Sequence, residues 1–253
     1  MPPPLNEAPP PTVKSALRTL DIIEYVVARG APVVAQEVAT ALAIPVSSLS
    51  YLLNTLVERG YLARAGRRYA AGPGLARLQR PAEQFSLLER VAPLVRALRV
   101  QLNETVSFFV RHDWEVEALV TETSEQALRY AVQMGTRTPL HGFAAGKAIL
   151  AALSDTEIEI YLGQAERATF TPATITDSDQ LRREIAVIRT TGIARTREEH
   201  TLGIQGVGRA VVDAGGVLLG AFGVAIPSAR FDPAVERRGS DLLQRTAALL
   251  EAG

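Results

Sequence analysis

One predicted helix carries a row of small polar side chains opposite its apolar face. Between residues 47 and 59, leucines and a valine recur at helical spacing and mark the buried side. Small hydroxyl and amide groups near a helix N-terminus can enter a major groove about 12 Å wide. The free N–H groups at that end favour a phosphate oxygen. The polar face indicates a DNA contact, with an ordinary surface helix as the alternative; its members are Ser47, Ser48, Ser50, Tyr51, Asn54, Thr55 and Glu58.

The flanking segments supply the elements that would position this helix. Apolar spacing predicts helices at 15–29 and at about 34–42, and a tight turn at 43–45 leads into the helix at 47–59. A hairpin with Gly66 at its turn follows at 61–70. Three helices and a hairpin make a winged helix-turn-helix, whose hairpin lies along the DNA backbone or minor groove. The expected phosphate contacts are Lys14, Arg18, Arg64, Arg67 and Arg68.

Composition and charge agree with this interpretation. The chain has 253 residues, of which 47% are hydrophobic and 21% charged, as in ordinary folded proteins. Residues 1–80 carry nine Arg and Lys against five Asp and Glu, whereas residues 81–253 carry eighteen against twenty-two. A basic N-terminal part suits a polyanion partner. The absence of cysteine excludes disulfides, thiolate nucleophiles and Cys-ligated zinc. No secretory signal or long apolar run is seen, so we expect a cytoplasmic protein without a membrane partner.

The predicted organisation is α+β with two domains. Six prolines in residues 1–12 predict a disordered tail, followed by a DNA-binding domain at 13–80, a linker helix at 81–103 and a second domain at 104–253. In the second domain we expect strands at both ends with helices between them, which is typical of an antiparallel-rich sheet. The expected strands are 106–110, 116–120, 128–132, 193–197, 206–212 and 217–225, and the expected helices are 144–153, 155–162, 177–190 and 232–251.

Several segments resemble the IclR family of bacterial transcriptional regulators. The matching runs are 13–23, 44–53 and 58–62 in the first domain, and Pro139-Leu140-His141-Gly142-Phe143-Ala144-Ala145-Gly146-Lys147-Ala148 and Glu198-Glu199-His200-Thr201-Leu202-Gly203-Ile204 in the second. The resemblance covers nearly the whole chain beyond the tail. It implies a winged helix joined by a linker helix to a GAF-like effector-binding domain. It also implies a homodimer or dimer of dimers that binds double-stranded operator DNA under the control of a small organic effector.

The chain departs from the family pattern in its third helix. Many members carry Lys at the position of Val46 and Arg at the position of Tyr51. Without that Arg, bidentate readout of guanine from position 51 is lost, although the Tyr51 hydroxyl can still reach a base or phosphate. We therefore expect the operator to differ from that of an Arg-bearing relative.

The effector site departs as well. The resemblance implies that backbone amides near Ala144 and Ala145 hold an acid, helped by Asp, Cys and two Ser side chains. Ungapped matching places Thr196, Gly206, Gly223 and Ala225 at those four positions. Since only Thr196 is polar there, the sequence predicts a roomier, more apolar pocket and a larger effector, such as an aromatic acid, ester or amide-like compound. A collapsed or empty pocket is the alternative. The predicted effector residues are Tyr130, Met134, His141, Phe143, Ala144, Ala145, Thr196, Gly206, Gly223 and Ala225.

Other chemistries find little support. His112, His141 and His200 could join Glu198 and Glu199 in a metal site, but structural histidines are the better interpretation, and we expect no metal or cofactor. The run 142–148 lacks the hydroxyl residue of a nucleotide-binding loop, and no nucleophile elbow is present. The sequence thus predicts a regulator rather than an enzyme, with repression of a catabolic operon as its expected role. The alternative is a small-molecule-binding protein or enzyme that keeps a vestigial DNA-binding head.

Overall fold

The computed structural model describes residues 13–78 and 85–251, so the tail predicted at 1–12 lies outside the described residues. The chain divides into two compact units, one ending at residue 84 and the other beginning at residue 85. The domain boundary predicted between residues 80 and 81 also falls outside the described ranges. Each unit has a hydrophobic core of its own.

The first unit packs three helices against a small antiparallel sheet. Strand order is β1-β3-β2, so the predicted hairpin gains a third strand that the sequence pattern did not predict. The hairpin turns at Gly66 and Arg67, and Gly66 has φ +61°, a left-handed conformation that suits glycine. The elements are α1 (Lys14–Arg29), β1 (Val33–Val34), α2 (Ala35–Leu42), α3 (Val46–Glu58), β2 (Leu62–Ala65), β3 (Arg68–Ala71) and α4 (Gly74–Arg77).

The apolar spacing seen in the sequence forms the core of this unit. Ile22 of α1, Val38 of α2, and Leu49 and Leu53 of α3 are fully buried. Since these residues recur every three or four positions, the opposite face of α3 is left to solvent. Within residues 13–78 and 85–251, no single helix is long and apolar enough to cross a membrane; only α2 and α3 taken together, bent by 118°, pass that test.

The second unit is built on a six-stranded antiparallel sheet. Its strands run in the order β6-β5-β4-β9-β8-β7. Phe108 and Phe109 show how the sheet is covered, because Phe108 packs into the core on one face and Phe109 into the core on the other. The strands are β4 (Thr105–His112), β5 (Glu115–Glu122), β6 (Arg137–Pro139), β7 (Ala194–Arg197), β8 (Ile204–Val212) and β9 (Leu218–Pro227).

Helices cover both faces of this sheet. Helices α5 (Leu87–Leu102) and α9 (Pro233–Glu251) supply apolar residues to the core on one face. Helices α6 (Ala144–Ala152), α7 (Asp155–Gln164) and α8 (Ser178–Thr191) supply those of the other face. The predicted α+β class and its helical segments agree with this arrangement.

Two predictions about this unit need correction. The linker helix predicted at 81–103 begins at Leu87 and is part of the second unit, because Val91, Val95 and Leu98 are fully buried in the core under the sheet. The strand predicted at 128–132 is wrong, since this segment is irregular and the missed β6 follows it. The backbone carbonyl of Tyr130 accepts a hydrogen bond from the Thr105 hydroxyl at 2.7 Å instead of pairing in the sheet.

Candidate DNA interface and effector cavity

Part of the predicted polar face of helix α3 is exposed, and its side chains there have no hydrogen-bond partner among the described residues. Ser47, Tyr51 and Asn54 are exposed, and no described residue makes a hydrogen bond with their side chains. Tyr51 is 78% exposed, and Val46 at the start of the helix is 51% exposed. The free donors of this face are therefore one serine hydroxyl, one phenol and one carboxamide.

The remaining hydroxyls of the helix are less available. Ser50 donates to the Val46 carbonyl at 2.9 Å, and Thr55 donates to the Tyr51 carbonyl at 3.0 Å. Ser48 is half-buried. Because a hydroxyl has one proton, Ser50 and Thr55 offer a DNA base only their acceptor capacity in this arrangement.

The wing arginines differ in how firmly the protein holds them. Arg64 donates from Nε to the Gly66 carbonyl at 2.9 Å, and its guanidinium lies 5.6 Å from the centre of the Tyr69 ring. Arg68 donates from Nη1 to the Pro32 carbonyl at 3.1 Å. These contacts hold both side chains against the hairpin.

Arg67 is in a different situation, at the tip of the wing. Its side chain is exposed and has no hydrogen bond or ion pair with any described residue. Lys14 and Arg18, on the first turn of α1 and the next, also have no side-chain partner among the described residues. All five predicted phosphate-contacting residues belong to the first unit, and these three are unengaged.

A narrow cavity opens in the second unit between the sheet and the N-terminal end of α6. Its empty space is about 440 Å³, which includes solvent at the mouth, and its interior is little wider than a water molecule. No Asp, Glu, Lys or Arg is among the described residues that line it. Eight of the ten predicted effector residues lie around this cavity: Tyr130, Phe143, Ala144, Ala145, Thr196, Gly206, Gly223 and Ala225.

Met134 and His141 lie outside this cavity, contrary to the prediction. Met134 is 55% exposed in the irregular segment before β6. His141 is fully buried, but its Nε2–H donates to the Ala168 carbonyl at 2.8 Å. A hydrogen bond within the protein thus occupies the ring that was expected to face an effector.

The floor of the cavity is a row of small residues with a hydroxyl group at each end. The strand register pairs Thr196 with Gly206, Gly206 with Ala225, and Ala225 with Thr105. Since neighbouring strands lie about 4.8 Å apart, the two threonine backbones are roughly 14 Å apart across the sheet. The two central positions carry at most a methyl group, which leaves a shallow trough between the hydroxyls.

The small residues do not create as much room as the sequence suggested. A Cβ atom at Gly206 would lie 2.4 Å from Thr196 Oγ1, and one at Gly223 would lie 3.1 Å from a ring carbon of Phe109. Neighbouring side chains therefore already fill the space that the missing side chains leave. The cavity is a narrow slot rather than the roomy pocket that was predicted.

Thr196 carries the one hydroxyl of the floor row that is without a protein partner among the described residues. The residue is only 7% exposed. Thr105, at the other end of the row, donates to Tyr130 and accepts from the Ser124 N–H at 3.2 Å. In the adjacent row, the Ser107 and Thr121 hydroxyls share a hydrogen bond of 2.7 Å.

Helix α6 points its first turn at the same space. Its N-cap residue is Phe143, which supplies no side-chain cap, and the Lys147 N–H is the first to bond within the helix, to the Phe143 carbonyl at 2.8 Å. The amides of Ala144 and Ala145 precede that bond and have no intrahelical acceptor. Free N–H groups and the positive end of the helix dipole favour an anion there.

His200 forms a side wall of the cavity. Its ring centre lies 4.7 Å from that of Phe170 and 5.9 Å from that of Phe143, and its Nδ1 is 3.1 Å from Thr201 Oγ1. Burial lowers the pKa of His200 below its ordinary value. The imidazole is accordingly neutral at neutral pH and offers a hydrogen bond rather than a charge.

A buried ion pair anchors the segment that carries this histidine. Lys147 of α6 is fully buried, and its ammonium donates to Glu184 of α8 at 2.5 Å and to Glu199. Glu199 is 5% exposed and directly precedes His200. The helix that presents its amides to the cavity is therefore also bonded to the segment that carries His200.

Half of the residues that line the cavity were not predicted from the sequence. Period-two alternation along the strand predicted at 106–110 could have placed 105, 107 and 109 on one face. The residues contributed by loops gave no such signal, because only the fold brings them to the cavity. The missed residues are Thr105, Ser107, Phe109, Val132, His200, Thr201, Ile204 and Val224. No group of three metal-ligating side chains occurs among residues 13–78 and 85–251.

Comparison with known families decides the identity of both units. Residues 79–251 match the family model described as the bacterial transcriptional regulator IclR C-terminal domain, and residues 15–66 match the IclR helix-turn-helix domain. The chain belongs to the IclR family of transcriptional regulators. These two matches confirm the resemblance predicted from the sequence. An IclR-family regulator binds DNA through its helix-turn-helix domain.

Individual relatives agree with this assignment. The chain is 28% identical over 210 residues to the transcriptional repressor IclR of Escherichia coli, covering 79% of this chain and 75% of the relative. The crystal structure of IclR from Thermotoga maritima shares the IclR fold, with a TM-score of 0.64 and 24% identity over 94% of this chain and 97% of that one. An IclR homologue from Microbacterium hydrocarbonoxydans, solved in complex with 4-hydroxybenzoate, aligns with a TM-score of 0.59 and 20% identity over 94% of this chain and 97% of its own. The relatives IclR and AllR of Escherichia coli are transcriptional repressors, not enzymes.

Proposed function

We propose that this IclR-family regulator is a cytoplasmic repressor of a catabolic operon whose DNA affinity is set by a one-ring aromatic acid. The observation that carries the effector class is the Thr196 hydroxyl, unpartnered among the described residues, 7% exposed, and close to the start of α6. A hydroxyl beside free helix amides is suited to a carboxylate. The complex of a homologue with 4-hydroxybenzoate supports the same class.

The lining of the cavity suits an aromatic ring, and the narrow interior must widen to admit one. The phenyl rings of Phe109 and Phe143 lie 4.8 Å apart, edge to face, on the lining, and the floor between the hydroxyls is small and apolar. An aromatic ring buries well against such surfaces. The described residues of the lining include no Lys or Arg, so the carboxylate would be held by hydrogen bonds and the helix dipole.

The DNA-bound form would be a homodimer or a dimer of dimers on a roughly palindromic operator. Two-fold symmetric heads require half-sites about one helical turn apart, roughly 34 Å, or a multiple of that. The effector can change DNA affinity only if it binds one arrangement of the heads better than another. In the expected direction for a repressor, the aromatic acid binds the DNA-free form more tightly.

The test is a binding assay on the intergenic DNA beside the gene, with the purified full chain and a salt series. We expect specific binding that falls steeply with salt, because phosphate contacts release counterions. Benzoate and 4-hydroxybenzoate should weaken binding, whereas glyoxylate and pyruvate should not. A response to the small acids alone would overturn the effector class while leaving the DNA-binding function in place.

A variant pair locates the effector. Thr196→Val keeps the shape of the side chain and removes its hydroxyl, and should lower the affinity for aromatic acids about tenfold, as expected for a lost hydrogen bond to a charged group. Thr190→Val, on the exposed face of α8, is the matched control and should bind like the wild type. Equal affinities of the two variants in calorimetry would contradict the proposed site.

A further inference from the structure

The exposed polar face of α3 has side chains that can bind the major-groove edge of A·T pairs and few that can bind that of G·C pairs. Among the described residues of this helix there is no Arg or Lys, and these are the side chains that grip guanine O6 and N7 from the major groove. The exposed, unengaged groups on the face are those of Val46, Ser47, Tyr51 and Asn54, with the Glu58 carboxylate at the last position of the helix.

Asn54 is the group with the strongest base preference. Its carboxamide is exposed and has no hydrogen-bond partner among the described residues. A carboxamide pairs in bidentate fashion with adenine, accepting from N6–H and donating to N7. Every other exposed polar group on this face is a hydroxyl or the Glu58 carboxylate.

Val46 adds an apolar contact at the other end of the face. It is 51% exposed at the first position of α3, where a helix entering the groove meets base edges. The apolar feature that the major groove offers to such a side chain is the thymine methyl group. Val46 and Asn54 are eight residues apart, about 12 Å along the helix, which corresponds to three or four base pairs at roughly 3.4 Å each.

The wing has a separate preference of the same kind. Arg64 and Arg68 are held by carbonyls of the protein, whereas Arg67 at the hairpin tip is free among the described residues. An exposed, unpaired guanidinium is attracted to a narrow minor groove, and narrow minor grooves are a property of A-tracts. The wing and the helix therefore favour the same base composition by independent means.

We propose that each operator half-site is read as A·T pairs, with Asn54 on an adenine, Val46 on a thymine methyl group and Arg67 in a neighbouring narrow minor groove. The inference rests on the DNA-binding activity of the family and is independent of the effector. It assigns the base chemistry of the operator to three residues of the first unit.

The first test is selection from a random duplex library with the purified full chain. Enrichment of half-sites with three or four consecutive A·T pairs supports the proposal. A consensus specified by guanines overturns it while the regulator function stands. Failure to enrich any sequence contradicts both the proposal and the DNA-binding function.

Base analogues in the selected sequence separate the two grooves. Uracil in place of the contacted thymine removes one methyl group and should lower affinity about fourfold, the equivalent of one buried carbon. Inosine·cytosine presents the major groove of G·C but the minor groove of A·T. It should therefore weaken binding at the positions read by α3 and be tolerated at the positions read by Arg67; the reverse pattern overturns the assignment.

Protein variants connect the residues to these positions. Asn54→Ala should lower affinity about tenfold and abolish the preference at one adenine, as expected for a lost bidentate contact. Arg67→Ala should reduce the salt slope by about one and the preference for an A-tract, whereas Arg29→Ala, an exposed arginine at the end of α1, should not. Tyr51→Arg should add a guanine to the selected half-site, and an unchanged consensus in that variant would place position 51 away from the bases.

Discussion

Thr196 and Gly206 face each other across paired strands, and the threonine hydroxyl fills the space that a side chain at Gly206 would need. A Cβ at position 206 would lie 2.4 Å from Thr196 Oγ1 and 3.0 Å from the Ala144 methyl group. The pair joins the floor of the proposed effector cavity to the first turn of α6. Small changes here should affect effector binding before they affect the DNA-binding unit, which has its own core.

Gly206→Ala should therefore block the effector response and leave DNA binding in place. The added methyl group forces Thr196 out of its position at a cost of about 1–3 kcal/mol in the free energy of unfolding, as in other overpacked sites. Gly163→Ala is the control, because nothing lies within 4 Å of a Cβ at this exposed position of α7. The readout is operator binding with and without benzoate, together with a urea midpoint.

The double variant Gly206→Ala with Thr196→Ala tests the steric cause. Removing the threonine hydroxyl frees the space for the new methyl group, so the stability lost in Gly206→Ala should return. Effector affinity should stay low because the hydroxyl is gone. Stability that does not recover in the double variant would show that the clash lies elsewhere.

A second prediction concerns the buried ammonium of Lys147. Lys147→Met leaves Glu199 buried without its cation, and should lower the free energy of unfolding by about 3–5 kcal/mol, as for other broken buried pairs. The loss arises mainly from the unpaired carboxylate. Pairing Lys147→Met with Glu199→Leu should recover much of that stability, since apolar residues of similar volume can replace a buried ion pair.

Arg182→Met provides the matched surface control. Arg182 pairs with Glu159 at 2.9 Å, but both side chains are largely exposed, and such pairs contribute less than about 1 kcal/mol. Urea unfolding of the wild type and the three variants gives the comparison. Equal losses in Lys147→Met and Arg182→Met would mean that the buried pair contributes no more than a surface one.

The sequence predicted the faces of helices better than the shape of the cavity. The face of α3 follows from 3.6-residue periodicity, so the exposed positions of Ser47, Tyr51 and Asn54 could be predicted without a structure. The slot could not, because its width depends on where Thr196 and Phe109 lie relative to the glycines of adjacent strands. Those distances depend on which strands pair across the sheet, and the pattern within one strand does not identify its partner.

The prediction of a strand at 128–132 was wrong for a similar reason. Alternating Leu128 and Tyr130 resemble a half-buried strand, yet Leu128 is 60% exposed and the Tyr130 carbonyl is engaged by a threonine side chain. Because the Thr105 hydroxyl already bonds to that carbonyl, the carbonyl does not need a partner on a neighbouring strand. His200 and Thr201 were missed as lining residues because a loop, not a periodic element, brings them to the cavity.

Acid should weaken the fold through His141. Its Nδ1 is buried without a hydrogen-bond partner among the described residues, and burial lowers the pKa of this histidine below its usual 6.5. The folded state therefore binds fewer protons than the unfolded state, and stability is lost as pH falls from 6.5 towards the lowered value. His200 acts in the same direction. Glu199, whose pKa is raised by burial, acts in the opposite direction above 4.5, so the measurement must compare variants.

The comparison is between the wild type and His141→Gln. Urea midpoints at about pH 7.5 and about pH 5.5 bracket the titration of the unfolded histidine. The decrease on acidification should be smaller in His141→Gln than in the wild type. A decrease of the same size in both proteins would place the acid sensitivity outside His141.

The last prediction concerns discrimination between aromatic acids. In the proposed binding mode, the carboxylate lies beside Thr196 and the α6 amides. The para position of the ring then points across the small floor residues towards β4, where Ser107 lies. Ser107 and Thr121 share one hydrogen bond, so one of the two protons remains available to a ligand hydroxyl. Ser107→Ala should therefore remove most of the preference for 4-hydroxybenzoate over benzoate and leave benzoate affinity nearly unchanged.

Calorimetric titration of both acids into the wild type and Ser107→Ala measures this preference directly. A site that hydrogen-bonds a ligand hydroxyl discriminates strongly against the analogue without it, because its own polar groups are then unpaired. Loss of affinity for both acids to the same degree would indicate that Ser107 shapes the cavity without reading the substituent. Unchanged preference would mean that the ring lies in the opposite orientation, with its hydroxyl near Thr196.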